Sequence, residues 1–221
     1  MIDLHDLALD APDGRLLLQG LHWAVPQGGK RLVTGPSGCG KSRLLKVIAG
    51  TERPARGRVK VGGREIWPGD GVLSLIGRLR VGFAFASGGL LSNLSLRENL
   101  ALPLRFLGVP PGELHGRVEA ALERLGLRAT ADLRPHALSA SARKHANLAR
   151  VLVLDPELIL LDDPLEGLDA DDRAVAAGVI RAWALEPGRT LVIAAEEAQA
   201  FSFLEAERLQ LSPVPICMES P

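Results

Sequence analysis

One octapeptide restricts what this chain can fold into more than any other feature. Gly35-Pro36-Ser37-Gly38-Cys39-Gly40-Lys41-Ser42 fits the pattern G-x-x-x-x-G-K-[ST]. A strand-like run, Lys30 to Thr34, precedes it, and a short helical pattern, RLLKVIAG, follows and is ended by Gly50. Strand, glycine-rich loop and helix in that order make a phosphate-binding loop. The glycines let successive backbone N–H groups turn inward around an anion, and the helix N-terminus favours its charge. On this reading Lys41 reaches the β- and γ-phosphates of a nucleotide and the Ser42 hydroxyl ligates Mg²⁺. An ordinary glycine-rich turn requires neither the Lys-Ser pair nor these flanks. Gly35, Pro36, Ser37, Gly38, Cys39, Gly40, Lys41 and Ser42 are therefore the expected nucleotide-binding residues. Within them Cys39 reads as a small filler, with a thiol whose modification blocks the nucleotide as the alternative.

Around the loop the hydrophobic pattern is that of an α/β chain. Arg15 to Val25 reads as a strand, broken from the next by Pro26-Gln27-Gly28-Gly29, and GRVKVGGREI at 57–66 reads as a hairpin about Gly62-Gly63. After the apolar strand Val81 to Phe85, helical spacing dominates from 87 to 150. Leu114, Val118, Ala121, Leu122 and Leu125 share one helical face, and Gly126 is the stop. LILL at 158–161 is a buried parallel strand, 170–185 a helix, and TLVIAA at 190–195 a further strand. The expected organisation is one domain, 1–211, with its core in 1–86 and 151–211 and a helical insertion at 87–150. SPVPICMESP, at 212–221, follows as a tail.

The run Leu158 to Leu161 leads into Asp162-Asp163-Pro164, which places two carboxylates at the C-terminal edge of a buried strand beside the phosphate loop. This is a Walker B pattern. Asp162 is expected to hold Mg²⁺ through water and Asp163 to orient or deprotonate the attacking water; two aspartates capping the next turn are the alternative.

Composition narrows the partners. Among 221 residues, 26 Lys and Arg balance 26 Asp and Glu, and the scattered cations leave no electrostatic footprint for nucleic acid or an anionic membrane surface. Cys39 and Cys217 are too few for a disulfide framework, which fits a reducing cytosol. The start, MIDLHDLALDAPDG, has no basic segment followed by an apolar core, and no apolar run reaches the ~20 residues that span a bilayer. A membrane role therefore requires a separate membrane subunit.

Taken in order, these motifs resemble the ABC ATPase family from about Leu4 to Leu211. FAFASGGLLSNLSLRENLALPL stands where the family has its Q-loop, and LSASARKHANLAR looks like the signature helix. LILLDDPLEGLDA looks like Walker B with the D-loop Gly167-Leu168-Asp169, and TLVIAAEE occupies the switch-strand position. Within the family, SGGLLSNLSLRENLALPL is most similar to ATPase subunits of bacterial phospholipid-trafficking, toluene-tolerance type transporters. The resemblance implies a RecA-like P-loop core with an antiparallel β edge and an inserted α-helical subdomain. It also implies a head-to-tail homodimer or heterodimer with another ABC subunit, ATP and Mg²⁺ as ligands, and a transmembrane permease subunit docked on the helices. The chain would then be cytoplasmic, peripheral to the inner face of the membrane. Ser139 would cap its helix and point at a γ-phosphate bound on the opposing subunit.

Several positions depart from the family pattern. The Q-loop glutamine is Ala86, which has no side-chain oxygen, and Ser-Gly-Gly-Gln is Ser139-Ala140-Ser141-Ala142, whose Cβ atoms obstruct close backbone approach. The catalytic glutamate is Asp163, shorter by one C–C bond of about 1.5 Å. The switch histidine is Glu196, an anion facing the γ-phosphate, with replacement of the catalytic base by Glu196 as the alternative role. The adenine-stacking aromatic is missing, and the region near Ala11-Pro12 is expected to offer only apolar contact. Lys41, Ser42 and Asp162 remain, whereas every altered position belongs to a motif facing the γ-phosphate. Two readings follow: a transport motor with impaired hydrolysis, or a regulatory pseudo-ATPase. An unrelated P-loop kinase or GTPase would leave the ordered motifs unexplained.

Overall fold

The structure, a computed structural model, describes residues 1–75, 78–86 and 89–212. The expected tail beyond Ser212, and the first two residues of the expected insertion, lie outside the described residues. Two sheets organise the chain. An antiparallel sheet of order β2-β1-β4-β5 is made of β1 (Ile2–Asp10), β2 (Leu16–Val25), β4 (Arg56–Val61) and β5 (Arg64–Trp67). A parallel sheet of order β6-β7-β8-β3-β9 is made of β3 (Lys30–Thr34), β6 (Val81–Ala84), β7 (Leu158–Asp162), β8 (Thr190–Ala194) and β9 (Glu207–Gln210). The helices are α1 (Lys41–Ile48), α2 (Leu96–Phe106), α3 (Pro111–Arg124), α4 (Ala140–Leu152) and α5 (Ala170–Ala184). This is the P-loop NTPase architecture anticipated, with an antiparallel sheet on one side and a helical subdomain built on α2, α3 and α4.

The parallel sheet separates two cores, and the side-chain period of two along each strand assigns residues between them. Along β7, Ile159 and Leu161 join the core shared with α2 to α5, while Leu158 and Leu160 join the core under α1 and the antiparallel sheet. Along β8, Leu191 and Ile193 go to the first core and Val192 and Ala194 to the second. Both strands are apolar on both faces because both faces are covered, as a central parallel strand requires.

The helical subdomain is held to the parallel sheet by its last helix. α4 buries Ala146, Leu148, Ala149 and Val151, and the Asn147 side chain donates to the Phe85 carbonyl at 3.0 Å just past β6. His145, 4% exposed, puts its ring nitrogens 3.2 and 3.0 Å from the carbonyl oxygens of Leu125 and Asp172, bridging the end of α3 to the first turn of α5. Val118, Ala121, Leu122 and Leu125 are buried along α3, with Leu114 packed at the margin, as the helical spacing predicted.

Boundaries moved by one or two residues from expectation: β2 begins at Leu16 rather than Arg15, β6 ends at Ala84 rather than Phe85, and α1 starts at Lys41 inside the phosphate loop. Strands β1 and β9 were not anticipated. β1 carries register shifts against β2, and Asp6 sits at φ 48°, so the buried set changes phase from Ile2 and Leu4 to Leu7 and Leu9. β9 is a half-exposed edge strand, in which no alternation marks a buried face.

Candidate functional site

The phosphate loop leaves the C-terminal end of β3 and closes on the first turn of α1. Its tightest point is Gly35, at φ 149°, where a Cβ would lie 2.5 Å from the Leu211 carbonyl oxygen and 2.7 Å from the Cys39 sulfur. Only glycine fits there. Cys39 is buried, 2% exposed, with its sulfur packed under Gly35, so it fills space beneath the loop rather than presenting a thiol at its mouth. Gly40, at φ 101°, is the N-cap of α1, and no side chain caps that helix, which leaves its first N–H groups for an incoming anion.

Lys41 is 5% exposed, and its ammonium donates to the carbonyls of Gly35 at 2.7 Å and Pro36 at 3.1 Å. The loop thus curls around its own lysine. The Ser42 hydroxyl donates to Asp162 Oδ1 at 2.9 Å, which unites the two sequence motifs at one point. Two hard oxygen ligands converge there, as a Mg²⁺ ion sharing its shell with phosphate and water requires.

Asp162 ends β7 at 4% exposure. Burial pushes its carboxyl above the usual carboxylate range, against hydrogen bonds from the Ser42 hydroxyl and the Ala86 N–H and the charges of Lys46 and Lys41. Ala86 therefore meets the Asp162 carboxylate through its backbone, while its methyl side chain offers no oxygen to the site. Asp163 follows at φ 44°, a strained backbone for a residue other than glycine, pinned by its N–H donating to the Ala194 carbonyl at 2.9 Å. Burial raises the Asp163 carboxyl, neighbouring Asp162 and Glu166 raise it further, and Lys41 and the Glu196 N–H oppose the shift.

Glu196 lies in the short segment after β8. Its carboxylate stands 3.8 Å from the Lys41 ammonium, and its side chain is 54% exposed. Ser37, Gly38, Gly40, Lys41, Ser42, Asp163 and Glu196 therefore line one cleft, with Gly35, Pro36 and Cys39 completing the loop behind it and Asp162 bonded to Ser42. Ser139 is elsewhere: exposed at the N-terminus of α4, it accepts a hydrogen bond from the Ala142 N–H at 3.0 Å. It does not line the cleft of its own chain.

The cleft encloses about 380 Å³. Beyond the phosphate loop it is bordered by Ala11, Pro12 and Leu17, and also by Arg15, so the expectation of purely apolar contact at this end is corrected. Arg15 was overlooked because it lies four residues past Ala11, across the turn that joins β1 to β2. Arg43 and Lys46 on α1 also line the cleft, with Arg43 paired to Glu52 at 2.8 Å. Their only signal in the sequence was their place one and four residues beyond the G-K-S triplet. Lys144 was missed too. From the second turn of α4 its ammonium donates to the Asp163 carbonyl at 2.9 Å and lies 3.9 Å from Glu166. Burial lowers its pKa, against the attraction of Glu166, Asp163 and Asp162. It ties the helix that begins at Ser139 to the backbone of Asp163.

The raised carboxyl of Asp162 has a measurable consequence for stability. A folded-state pKa above the unfolded value means that this group favours the fold below the unfolded pKa of ~3.9, and that the contribution is lost as pH rises through the folded value. At neutral pH the buried charge opposes folding. Asp162→Asn keeps an acceptor for Ser42 and removes the charge. It is expected to raise the melting temperature of the ligand-free chain by about 2–4 °C at pH 7, for a gain of about 1 kcal/mol, with the difference narrowing towards pH 4. A variant less stable than wild type at pH 7 in calorimetry would refute the sign.

Comparison with known proteins agrees with this geometry. The profile of the family described as ABC transporter matches residues 18–166. The methionine import ATP-binding protein MetN 2 of Paraburkholderia xenovorans is 36% identical over 169 residues, which is 76% of this chain and 43% of that protein. The energy-coupling factor transporter ATP-binding protein EcfA of Methanothermobacter thermautotrophicus is 34% identical over 183 residues, 82% of this chain and 57% of that protein. The chain spans about half the length of these curated relatives. An uncharacterized ABC transporter ATP-binding protein of Thermotoga maritima is 36% identical over 177 residues, covering 80% of this chain and 75% of that protein. Among solved structures, a dimeric post-hydrolysis state of the ATP-binding cassette MJ0796 bound to ADP and Pi superposes with a TM-score of 0.86 at 26% identity, covering 96% of this chain and 94% of that one.

Proposed function

The chain belongs to the ABC transporter family, and from that premise we propose that it is an ATP-binding subunit which binds Mg-ATP at a dimer interface to drive a separate membrane subunit, with hydrolysis impaired. The observation that carries this reading is the junction of the two motifs: Lys41 held by the loop carbonyls beside the Ser42–Asp162 pair. In it, Lys41 and the free N–H groups at the start of α1 bind the phosphates, and Ser42 and Asp162 hold Mg²⁺, which supplies charge neutralisation at the β- and γ-phosphate oxygens. Asp163 orients the attacking water. Ser139 faces outward from its own cleft, which suits a residue that contacts nucleotide on a second copy.

The membrane partner is assigned to a groove beside the helical subdomain. Leu91, Leu102, Pro103, Phe106 and Leu107 line it together with Val72 across from them, enclosing about 770 Å³. Phe106 is 80% exposed and Leu102 42%, an apolar surface that a soluble monomer rarely leaves open. No described helix is long and apolar enough to cross a membrane. A lipid cargo is proposed on the likeness of the 87–104 stretch alone.

A regulatory pseudo-ATPase is the second reading, and one contact favours it: the Glu196 carboxylate at 3.8 Å from Lys41, where an incoming γ-phosphate would meet repulsion. Light scattering of the purified chain with and without Mg-ATP, with phosphate release measured on the same samples, separates the readings. ATP-dependent dimerisation with slow turnover supports the motor. Dimerisation with no turnover above that of Lys41→Ala supports the pseudo-ATPase. A chain that neither binds ATP nor dimerises is not an ATP-binding subunit.

A further inference from the structure

We propose that the Glu196 carboxylate is a built-in competitor for the γ-phosphate, so that the chain on its own binds nucleoside diphosphate in preference to triphosphate. The proposal rests on the nucleotide-binding reading above. Lys41 has three N–H bonds and no acceptor. Two of them are used by the Gly35 and Pro36 carbonyls, and Glu196 Oε1 stands within ion-pair distance of the ammonium at 3.8 Å. The buried cation of the phosphate loop is therefore already partnered before nucleotide arrives.

The partner is placed to yield and also to resist. The Glu196 side chain is half exposed and makes no hydrogen bond among the described residues, while its backbone N–H is committed to the Asp163 carboxylate. Its carboxylate can therefore swing without disturbing the strand, yet it stays tethered next to Asp163. Both carboxylates face the end of the cleft on the Lys41 side. The additional cations, Arg15, Arg43 and Lys46, are carried by the β1–β2 turn and by α1 beyond the loop. A diphosphate bound on the N–H groups of the loop ends before the paired carboxylates. Both nucleotides share Lys41 with Glu196, but only a triphosphate must also place its last phosphate against the two carboxylates. At a half-exposed position this repulsion is worth about tenfold in affinity, and salt reduces it.

The consequence for assembly is that ATP is held poorly by one chain and needs a second. Donors from an opposing signature helix, beginning at a capping serine such as Ser139, would offset the repulsion only in the dimer. Glu196 then makes ATP occupancy conditional on partner arrival, whereas diphosphate occupancy is not.

The test is calorimetric titration of Mg-ADP and Mg-ATP into dilute wild-type chain, Glu196→Gln and Lys41→Ala, at low and high salt and at a protein concentration where light scattering reports monomer. Expected are tighter ADP than ATP for wild type, an ATP affinity about tenfold higher in Glu196→Gln with ADP within about twofold, and a smaller contrast at high salt. Because Glu196 is exposed, the variant should keep the wild-type melting temperature. Wild type that binds ATP as tightly as ADP, or a variant that shifts both alike, overturns the proposal and leaves the nucleotide reading intact. Wild type that binds neither better than Lys41→Ala overturns both.

Discussion

Lys41→Ala is expected to weaken the binding of Mg-ADP and Mg-ATP at least about a hundredfold while the chain remains folded. The ammonium is 5% exposed and fixed by two loop carbonyls, so it is in position before the ligand arrives and loses little freedom on binding. Hydrogen bonds from a charged donor to phosphate in a partly desolvated cleft are the strong kind. Removing the lysine also leaves the Gly35 and Pro36 carbonyls pointing at a slot that must take up negative phosphate, which converts an attraction into a repulsion. Lys41→Arg should restore little, because a planar guanidinium cannot occupy the slot of a compact ammonium held by Gly35 and Pro36. Calorimetric titration checks the affinities and thermal denaturation checks the fold. An alanine variant within tenfold of wild type for ADP would mean that the loop amides alone bind the phosphates and that Lys41 is structural.

That prediction could be written almost wholly from the sequence, because the phosphate loop is a local object. Eight consecutive residues and their two flanks carry both its backbone conformation and its chemistry. The central strands were legible for a similar reason: β7 and β8 are apolar on both faces, and such a run has few places to go other than the middle of a parallel sheet. The misses are non-local. Asp6 changes the phase of β1 by a single residue at positive φ, which destroys the alternation a strand is read by. β9 turns only Leu209 towards the core, too little to announce it. Lys144 and Asp163 are 19 residues apart, and only the fold brings the ammonium from α4 to the Asp163 carbonyl just past β7. The Lys41–Glu196 contact joins elements 155 positions apart through the β3–β8 pairing. The sequence reading puts an anion, Glu196, at the switch position; the fold shows which cation it faces.

On the proposed reading of impaired hydrolysis, changing the positions read as departures from the family pattern should produce the other large effect. The combination Ala86→Gln, Ala140→Gly, Asp163→Glu and Glu196→His is expected to raise steady-state phosphate release from Mg-ATP by at least about a hundredfold over wild type. Asp163→Glu carries the carboxylate about 1.5 Å further from a backbone already pinned to Ala194, and a misplacement of about 1 Å at a reacting centre can cost on the order of a hundredfold. Glu196→His replaces an anion beside Lys41 with a donor to the developing charge, where preorganised donors of this kind contribute comparable factors. Ala86→Gln adds a side-chain oxygen beside the Asp162 carboxylate that the backbone N–H already contacts, and Ala140→Gly clears the start of α4 next to its capping serine. The contributions are not additive, since Asp163 and Glu196 share a hydrogen bond and Lys41. Single and double variants separate them: Asp163→Glu alone should gain less while Glu196 still repels the γ-phosphate, and Glu196→His alone should bind ATP better without matching the turnover of the pair. Phosphate release at saturating ATP, with Lys41→Ala in the quadruple background as the blank, reads the result. If the quadruple variant stays at the level of that blank while binding ATP tightly, these four positions do not limit turnover, and the Lys144 link between α4 and the Asp163 backbone becomes the next place to look.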